Sequence, residues 1–271
     1  MIRYGARKRE VWNGGRNMLR LAQKVLTAPL GKTHLFSAGQ AGFILKSAAG
    51  ELLAIDLYLS ECVERLEGNR GFRRLLPQIL LPDELEFDAV ICTHPHLDHF
   101  DVDAVPALIA NHRTKLLCSV DCEKLVQKLG LEYYNEQITY VAPKDSVNVG
   151  SFRIDFVDCD HGTGAPDAVG VIVTVDGKKV YEAGDTCLRL DRAISLPRDL
   201  DVLIGPINGA YGNMNEEDLP QLAELIRPRM TIPCHYGMFA SHHGDVGKFY
   251  DIMQEKNLSC YLMQQGEGII L

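Results

Sequence analysis

Thr93-His94-Pro95-His96-Leu97-Asp98-His99-Phe100-Asp101 follows the apolar run Ala89-Val90-Ile91-Cys92 and sets three imidazoles and a carboxylate into six consecutive positions. That density of donors points to bound metal. Imidazole with carboxylate suits Zn²⁺, Mn²⁺ or Fe²⁺, whereas a soft-metal site would recruit the thiolates available elsewhere in the chain. His94 and His96 stand two apart, so on an extended segment both side chains leave the same face. Pro95 holds His94 away from the helical region. Asp98 and His99 fall where a helix is expected to begin, so they should turn away from the first pair and serve a neighbouring ion. Two metals are therefore expected. The plainer reading is a structural zinc site or a solvated loop, but structural zinc sites are closed and cysteine-rich, and no C-x-x-C pair flanks this stretch.

Three later stretches offer further donors. His161 ends the segment 152–160 and precedes Gly162-Thr163-Gly164, Asp185 lies in Gly184-Asp185-Thr186 after an apolar run, and His235 follows Met230-Thr231-Ile232-Pro233-Cys234. Taken singly, His161 or His235 reads as a hydrogen-bonded core histidine. Together with His94-x-His96-x-Asp98-His99, however, the chain resembles the metallo-β-lactamase superfamily of metal-dependent hydrolases. That family places a separate histidine, a bridging aspartate in a G-D-T element and a final histidine at the ends of later strands. Carried over position by position, the resemblance implies His94, His96 and His161 on one ion and Asp98, His99 and His235 on the other, with Asp185 bridging. It also implies a metal-activated hydroxide as nucleophile, oriented by Asp98, with His235 steadying the developing charge. Asp56, after the apolar run 52–55, is a candidate carboxylate behind a metal-bound histidine; a solvated acid at a strand end is the alternative.

Working outward, 35–46 and 52–57 suggest a hairpin turned by Ser47-Ala48-Ala49-Gly50. After the histidine motif, 102–112 reads as a helix, 116–120 as a strand and 122–129 as a helix ended by Gly130. Strands are expected at 138–141, 147–149, 152–157, 169–175 and 179–183, the last two joined by Asp176-Gly177. Further strands are expected at 201–207, 230–233 and 260–263, with helices at 216–226, capped by Asn215, and 246–256. Strand-rich halves with inserted helices suit two sheets packed face to face. The expected fold is α/β, a four-layer αββα sandwich of the metallo-β-lactamase type, forming one hydrolase domain over 1–271 with a basic helical extension at 1–31.

Composition agrees with a soluble enzyme, at 46% hydrophobic and 24% charged residues over 271 positions. The net charge of −8 argues against an extended nucleic-acid surface, which needs clustered Lys and Arg. Eight scattered cysteines form no compact framework and read as reduced, mostly buried thiols. The basic N-terminal segment lacks an uninterrupted apolar stretch of the secretory kind, and no run reaches transmembrane length. It suits a helix packed on the domain or at a subunit contact, which leaves a homo-oligomer open. A cytoplasmic protein acting on a small molecule, without membrane or nucleic-acid partners, is the expectation.

Substrate choice falls to the segment Gly205 to Asn215, where Asn208, Tyr211 and Asn213 offer polar groups to oxygens of a sugar acid or phosphate. A glycine-rich connector before a helix is the bland alternative. This segment and Pro233-x-His235-Tyr236-Gly237 look most like the ascorbate-6-phosphate lactonase type within the superfamily. The resemblance implies hydrolysis of a lactone or ester of a small sugar acid or phosphorylated metabolite. A phosphodiesterase or nuclease, a glyoxalase II-like thioester hydrolase, and a non-catalytic metal or ligand sensor are the competing readings.

Overall fold

A computed structural model of the chain describes residues 20–241 and 243–271. Strand character follows burial in two ways. Phe152–Asp158 alternates, with Phe152, Ile154 and Phe156 buried and Arg153 exposed, whereas Val169–Val175 is buried almost throughout because other layers cover both its faces.

The first sheet holds β1 (His34–Gly39), β2 (Gly42–Lys46), β3 (Leu52–Ile55), β4 (Ala89–Cys92), β5 (Lys115–Ser119) and β6 (Ile138–Val141). The second holds β7 (Ser146–Val149), β8 (Phe152–Asp158), β9 (Val169–Val175), β10 (Lys178–Glu182), β11 (Val202–Pro206) and β12 (Met230–Cys234). A last strand, β13 (Gly268–Ile270), returns to the first sheet, whose order is β13-β1-β2-β3-β4-β5-β6, while the second runs β12-β11-β10-β9-β8-β7. Leu35, Leu45, Leu53 and Ile91 of the first sheet meet Ile154, Val171, Val173 and Ile204 of the second in a shared core.

Helices close the outer faces. On the first sheet, α1 (Leu21–Thr27), α3 (Val105–Ile109) and α4 (Glu123–Lys128) pack over Phe36, Ile44 and Val90. On the second, α6 (Asp218–Ile226) and α7 (Val246–Glu255) pack over Tyr181 and Leu203. Two further short helices, α2 (Cys62–Glu67) and α5 (Leu190–Ala193), complete the described set. The architecture is the αββα sandwich expected from the sequence. No helix among the described residues is long and apolar enough to cross a membrane.

Several expectations change in detail. The run 35–46 is two strands, because Gln40 takes a left-handed φ of 55° and turns the chain between β1 and β2. The helix expected at Asp98 is instead a turn closed by His99 N–H and Phe100 N–H donating to the His96 carbonyl. The helix proper starts at Val105, where the Asp101 carboxylate receives the N–H groups of Asp103 and Ala104. The segment 260–263 makes a single bridge, Thr231 to Cys260, rather than a strand. The turn through Gly266 then carries the chain across to β1. The Asp176-Gly177 turn matches its expectation, both residues having positive φ as a tight hairpin requires. Of the expected basic extension, residues 1–19 lie outside the described residues, and 21–27 form α1.

Direction matters most for function. β3, β4, β5 and β6 pair in parallel, as do β10, β11 and β12. β8 is antiparallel to β9 and β9 to β10, so β8 runs with β10. The residues just past β3, β4, β8, β10 and β12 therefore gather at one rim of the sandwich, the usual place for a ligand crevice in such sheets.

Candidate metal centre

That rim brings all seven expected donors together. His94, His96, His161 and Asp185 form one group, Asp98, His99 and His235 a second, and within each group the ligand atoms lie within 4.8 Å of one another. Four donors come from the loop after β4 and three from the ends of β8, β10 and β12, so both sheets build the centre.

In the first group, His96 Nδ1 lies 3.0 Å from His94 Nε2 and 3.0 Å from His161 Nε2. Burial lowers the pKa of all three imidazoles, His161 to about 4, and neighbouring imidazoles lower them further. Three neutral rings thus aim nitrogens at one small volume, and lone pairs so placed are reconciled by a shared cation. Asp185 Oδ2 stands 3.8 Å from His161 Nε2, on the same side.

The second group has the opposite electrostatics. His235 Nε2 lies 3.2 Å from Asp98 Oδ2 and 3.2 Å from Asp185 Oδ2, while His99 Nε2 is 3.4 Å from Asp185 Oδ1. Burial disfavours charge on these rings, yet Asp185, Asp98 and Asp56 outweigh it, raising His99 well above its ordinary value and His235 to about 10. The carboxylates of Asp98 and Asp185 are held low in return, their burial being offset by His99 and His235. Negative charge here demands a positive partner, and a divalent ion meets that demand. Asp185 faces both groups.

Behind the donors, a hydrogen-bond chain fixes ring orientation. Thr93 Oγ1 donates to Asp56 Oδ2 at 2.6 Å, so Thr93 Oγ1 is in turn the acceptor for His94 Nδ1 at 3.0 Å. Asp56 Oδ2 also accepts from His99 Nδ1 at 2.7 Å, and Asp56 Oδ1 from Thr93 N–H at 2.8 Å. Both His94 and His99 therefore carry Nδ1–H and turn Nε2 inward. Asp56 thus occupies the place behind a metal-facing histidine suggested by sequence.

Local backbone explains two other donors. Gly184 has φ +67°, and a Cβ there would stand 3.0 Å from the Val169 carbonyl oxygen, so only glycine delivers Asp185 at this point. Cys159 Sγ donates to the Asp185 carbonyl at 3.1 Å, bracing the same turn rather than joining the donors. All eight cysteines are free, and six are buried.

Gln40 is a site residue that sequence reasoning missed. Its Nε2 donates to Asp98 Oδ2 at 2.8 Å and lies 3.2 Å from His235 Nδ1, while its carbonyl accepts from His235 N–H at 3.0 Å. A lone polar residue between Gly39 and Gly42 inside an apolar run was the available signal.

The centre opens into a cleft of about 370 Å³. Asn208 and Asn213 line it, both buried and joined by an Asn213 Nδ2 to Asn208 Oδ1 bond of 3.1 Å. Tyr211 stands at its mouth, 65% exposed, its ring 6.3 Å from that of Phe72. A second cleft of about 320 Å³, reaching Arg189 and Leu196, contains none of the seven donors.

Comparison with known proteins agrees with this geometry. Residues 58–236 match the family model described as "Beta-lactamase superfamily domain", a span that includes all seven donors. The chain belongs to this superfamily. A UPF0173 metal-dependent hydrolase of Saccharolobus solfataricus is 30% identical over 195 residues, covering 68% of this chain and 81% of the relative. One from Thermus thermophilus is 27% identical over 205 residues, covering 69% and 83%. Among solved structures, Igni18, a metallo hydrolase from Ignicoccus hospitalis, aligns with a TM-score of 0.68 at 22% identity, covering 89% of this chain and 98% of that one. This β-lactamase superfamily member is a metal-dependent hydrolase with a His/Asp metal-binding cluster.

Proposed function

We propose that this hydrolase cleaves a lactone or ester of a small sugar acid or phosphorylated metabolite, using two divalent ions, Zn²⁺ or Mn²⁺, with Fe²⁺ as a third choice for the same donors. The observation that carries the reading is the pair of adjoining donor groups sharing Asp185 at the floor of a metabolite-sized cleft. His94, His96, His161 and Asp185 would hold one ion, and Asp98, His99, His235 and Asp185 the other. Bound there, the ions supply Lewis acidity for water activation and for charge withdrawal from the carbonyl.

The side chains do the rest. Asp98 lines the cleft and is oriented by Gln40, so it aligns the attacking water and takes its proton. As the water oxygen bonds to the carbonyl carbon, negative charge grows on the carbonyl oxygen beside the ion that Asp98, His99 and His235 would hold on the cleft wall. The carbon–oxygen bond to the leaving group then breaks, and Asp98 returns the proton to the departing alkoxide. The lactonase reading draws on the resemblance of the segments 205–215 and 233–237. Purified protein assayed on lactones, thioesters and phosphodiesters, alongside elemental analysis, tests it. Turnover confined to phosphodiesters would overturn the lactonase reading, and full activity in His96→Ala protein with unchanged metal content would overturn the metal assignment.

A further inference from the structure

Asn208 and Asn213, each at least nine-tenths buried, line the cleft alongside His96, His161 and Asp185. Their mutual bond uses one donor and one acceptor. The other halves of the two amides, Asn208 Nδ2 and Asn213 Oδ1, are sequestered from water and have no hydrogen-bond partner among the described residues. Turning both amides over exchanges the roles and still leaves one open donor and one open acceptor. Buried polar atoms in native proteins are nearly always satisfied, so two neighbouring exceptions beside the cleft mark amides that, turned into it, would take a ligand that both accepts and donates. A hydroxyl or a carboxamide does both. A phosphate dianion or a carboxylate only accepts, and it would press its charge against the amide oxygen.

Another part of the lining is apolar. Val63, Leu97, Phe72 and Phe239 line it, the two phenyl rings meeting edge to face at 5.5 Å. Apart from the metal-site side chains, the charged residues lining the cleft among the described ones are Glu67 and Arg70. They neutralise each other, with Arg70 Nη1 2.8 Å from Glu67 Oε2. Among the described residues, the cleft side chains outside the metal site offer no surplus cation to an anionic substituent.

We infer that the cleft selects an uncharged substrate, one bearing a hydroxyl or carboxamide beside the reacting carbonyl and an apolar flank, and that the Asn208–Asn213 pair reads that polar group. This rests on the hydrolase reading above and narrows it, since phosphorylated metabolites fall outside the selected class. Three matched probes test it on metal-loaded protein: α-hydroxy-γ-butyrolactone, γ-butyrolactone and the O-phosphorylated hydroxylactone. Binding of α-hydroxy-γ-butyrolactam and plain γ-butyrolactam, followed by ligand-observed NMR, gives a readout independent of turnover.

The native protein should favour the hydroxylactone about tenfold or more in kcat/KM over both other lactones, and the hydroxylactam by a similar factor in affinity. Asn213→Leu should bring both ratios to within about threefold at unchanged metal content, as should Asn208→Asp, which keeps the shape of the side chain. Preference for the phosphorylated lactone, or ratios unmoved in both variants, would overturn the inference. Lactone turnover with no hydroxyl preference overturns the asparagine pair alone. Absence of all ester and lactone turnover, with hydroxylactam preference present and lost in the variants, overturns the lactonase reading while supporting the pair.

Discussion

Asp56 Oδ2 lies 2.7 Å from His99 Nδ1, and both side chains are fully buried. The same carboxylate receives Thr93 N–H and the Thr93 hydroxyl, so one acid sets the orientation of two metal-facing rings. An amide at this position has one acceptor oxygen for three donors, and its own N–H groups face at least one of them. Asp56→Asn should therefore weaken metal binding about 10- to 100-fold and destabilise the fold by about 1–3 kcal/mol. Competition with a chromogenic chelator and urea unfolding measure the two effects. Unchanged metal affinity would mean that Asp56 does not orient the metal-facing rings.

Much of this was legible beforehand because its signals are local or ordered along the chain. The donors cluster in a nine-residue stretch or sit at the ends of apolar runs, and the Asp176-Gly177 turn declares its own geometry. What was missed depends on tertiary placement. Gln40 reaches Asp98 only because β1 and β2 turn at the rim where β4 also ends, 58 residues further along. β13 is three residues long with no apolar period, and it exists because β1 offers a free edge. The helix expected at Asp98 gives way because loop hydrogen bonds and converging donors outweigh local helical preference.

Lys46 supplies a structural prediction remote from the centre. Its buried ammonium donates to the carbonyls of Val25, Leu26 and Ala28 at 2.8, 3.2 and 2.9 Å, closing the C-terminal end of α1 against β2. Lys46→Met keeps the aliphatic stem but leaves those carbonyls without their donor, at an expected cost of about 1–3 kcal/mol in urea unfolding. Metal content and kcat/KM should stay at native values. Loss of bound metal in this variant would mean that α1 communicates with the site.

The two donor groups predict an unusual pH response for chelated protein. His161, lowered by burial to about 4 from 6.5, stays neutral where the unfolded chain takes up a proton, so stability falls as pH drops from 6.5 toward 4. For His235, burial opposes charge but Asp185 and Asp98 raise the value to about 10. Its contribution is complete below pH 6.5 and is lost as pH climbs through 10. Chelated protein should melt highest near pH 6.5 and lower on both sides, while metal-loaded protein lacks the alkaline decline. Loading at pH 7 should also release about two protons, from His99 and His235, visible as buffer-dependent heats of binding. A melting temperature of chelated protein that rises steadily from pH 5 to 9.5 would contradict the charge assignment.

Gln40 separates the two donor groups experimentally. It touches Asp98 and His235 in the second group, and no hydrogen bond joins it to the first. Gln40→Leu retains bulk in the turn but removes the amide that holds Asp98 Oδ2. The second ion should then bind about 10-fold more weakly or worse while the first keeps its affinity, so a metal titration that overlapped in native protein splits into two steps. In the proposed mechanism Asp98 also aligns the nucleophile, so kcat should fall further than KM changes at saturating metal. Gln40→Glu offers a second acid in place of a donor, and by placing it against Asp98 it should push metal loading to higher pH. Equal weakening of both ions in Gln40→Leu would show that the residue supports the rim as a whole rather than this one group.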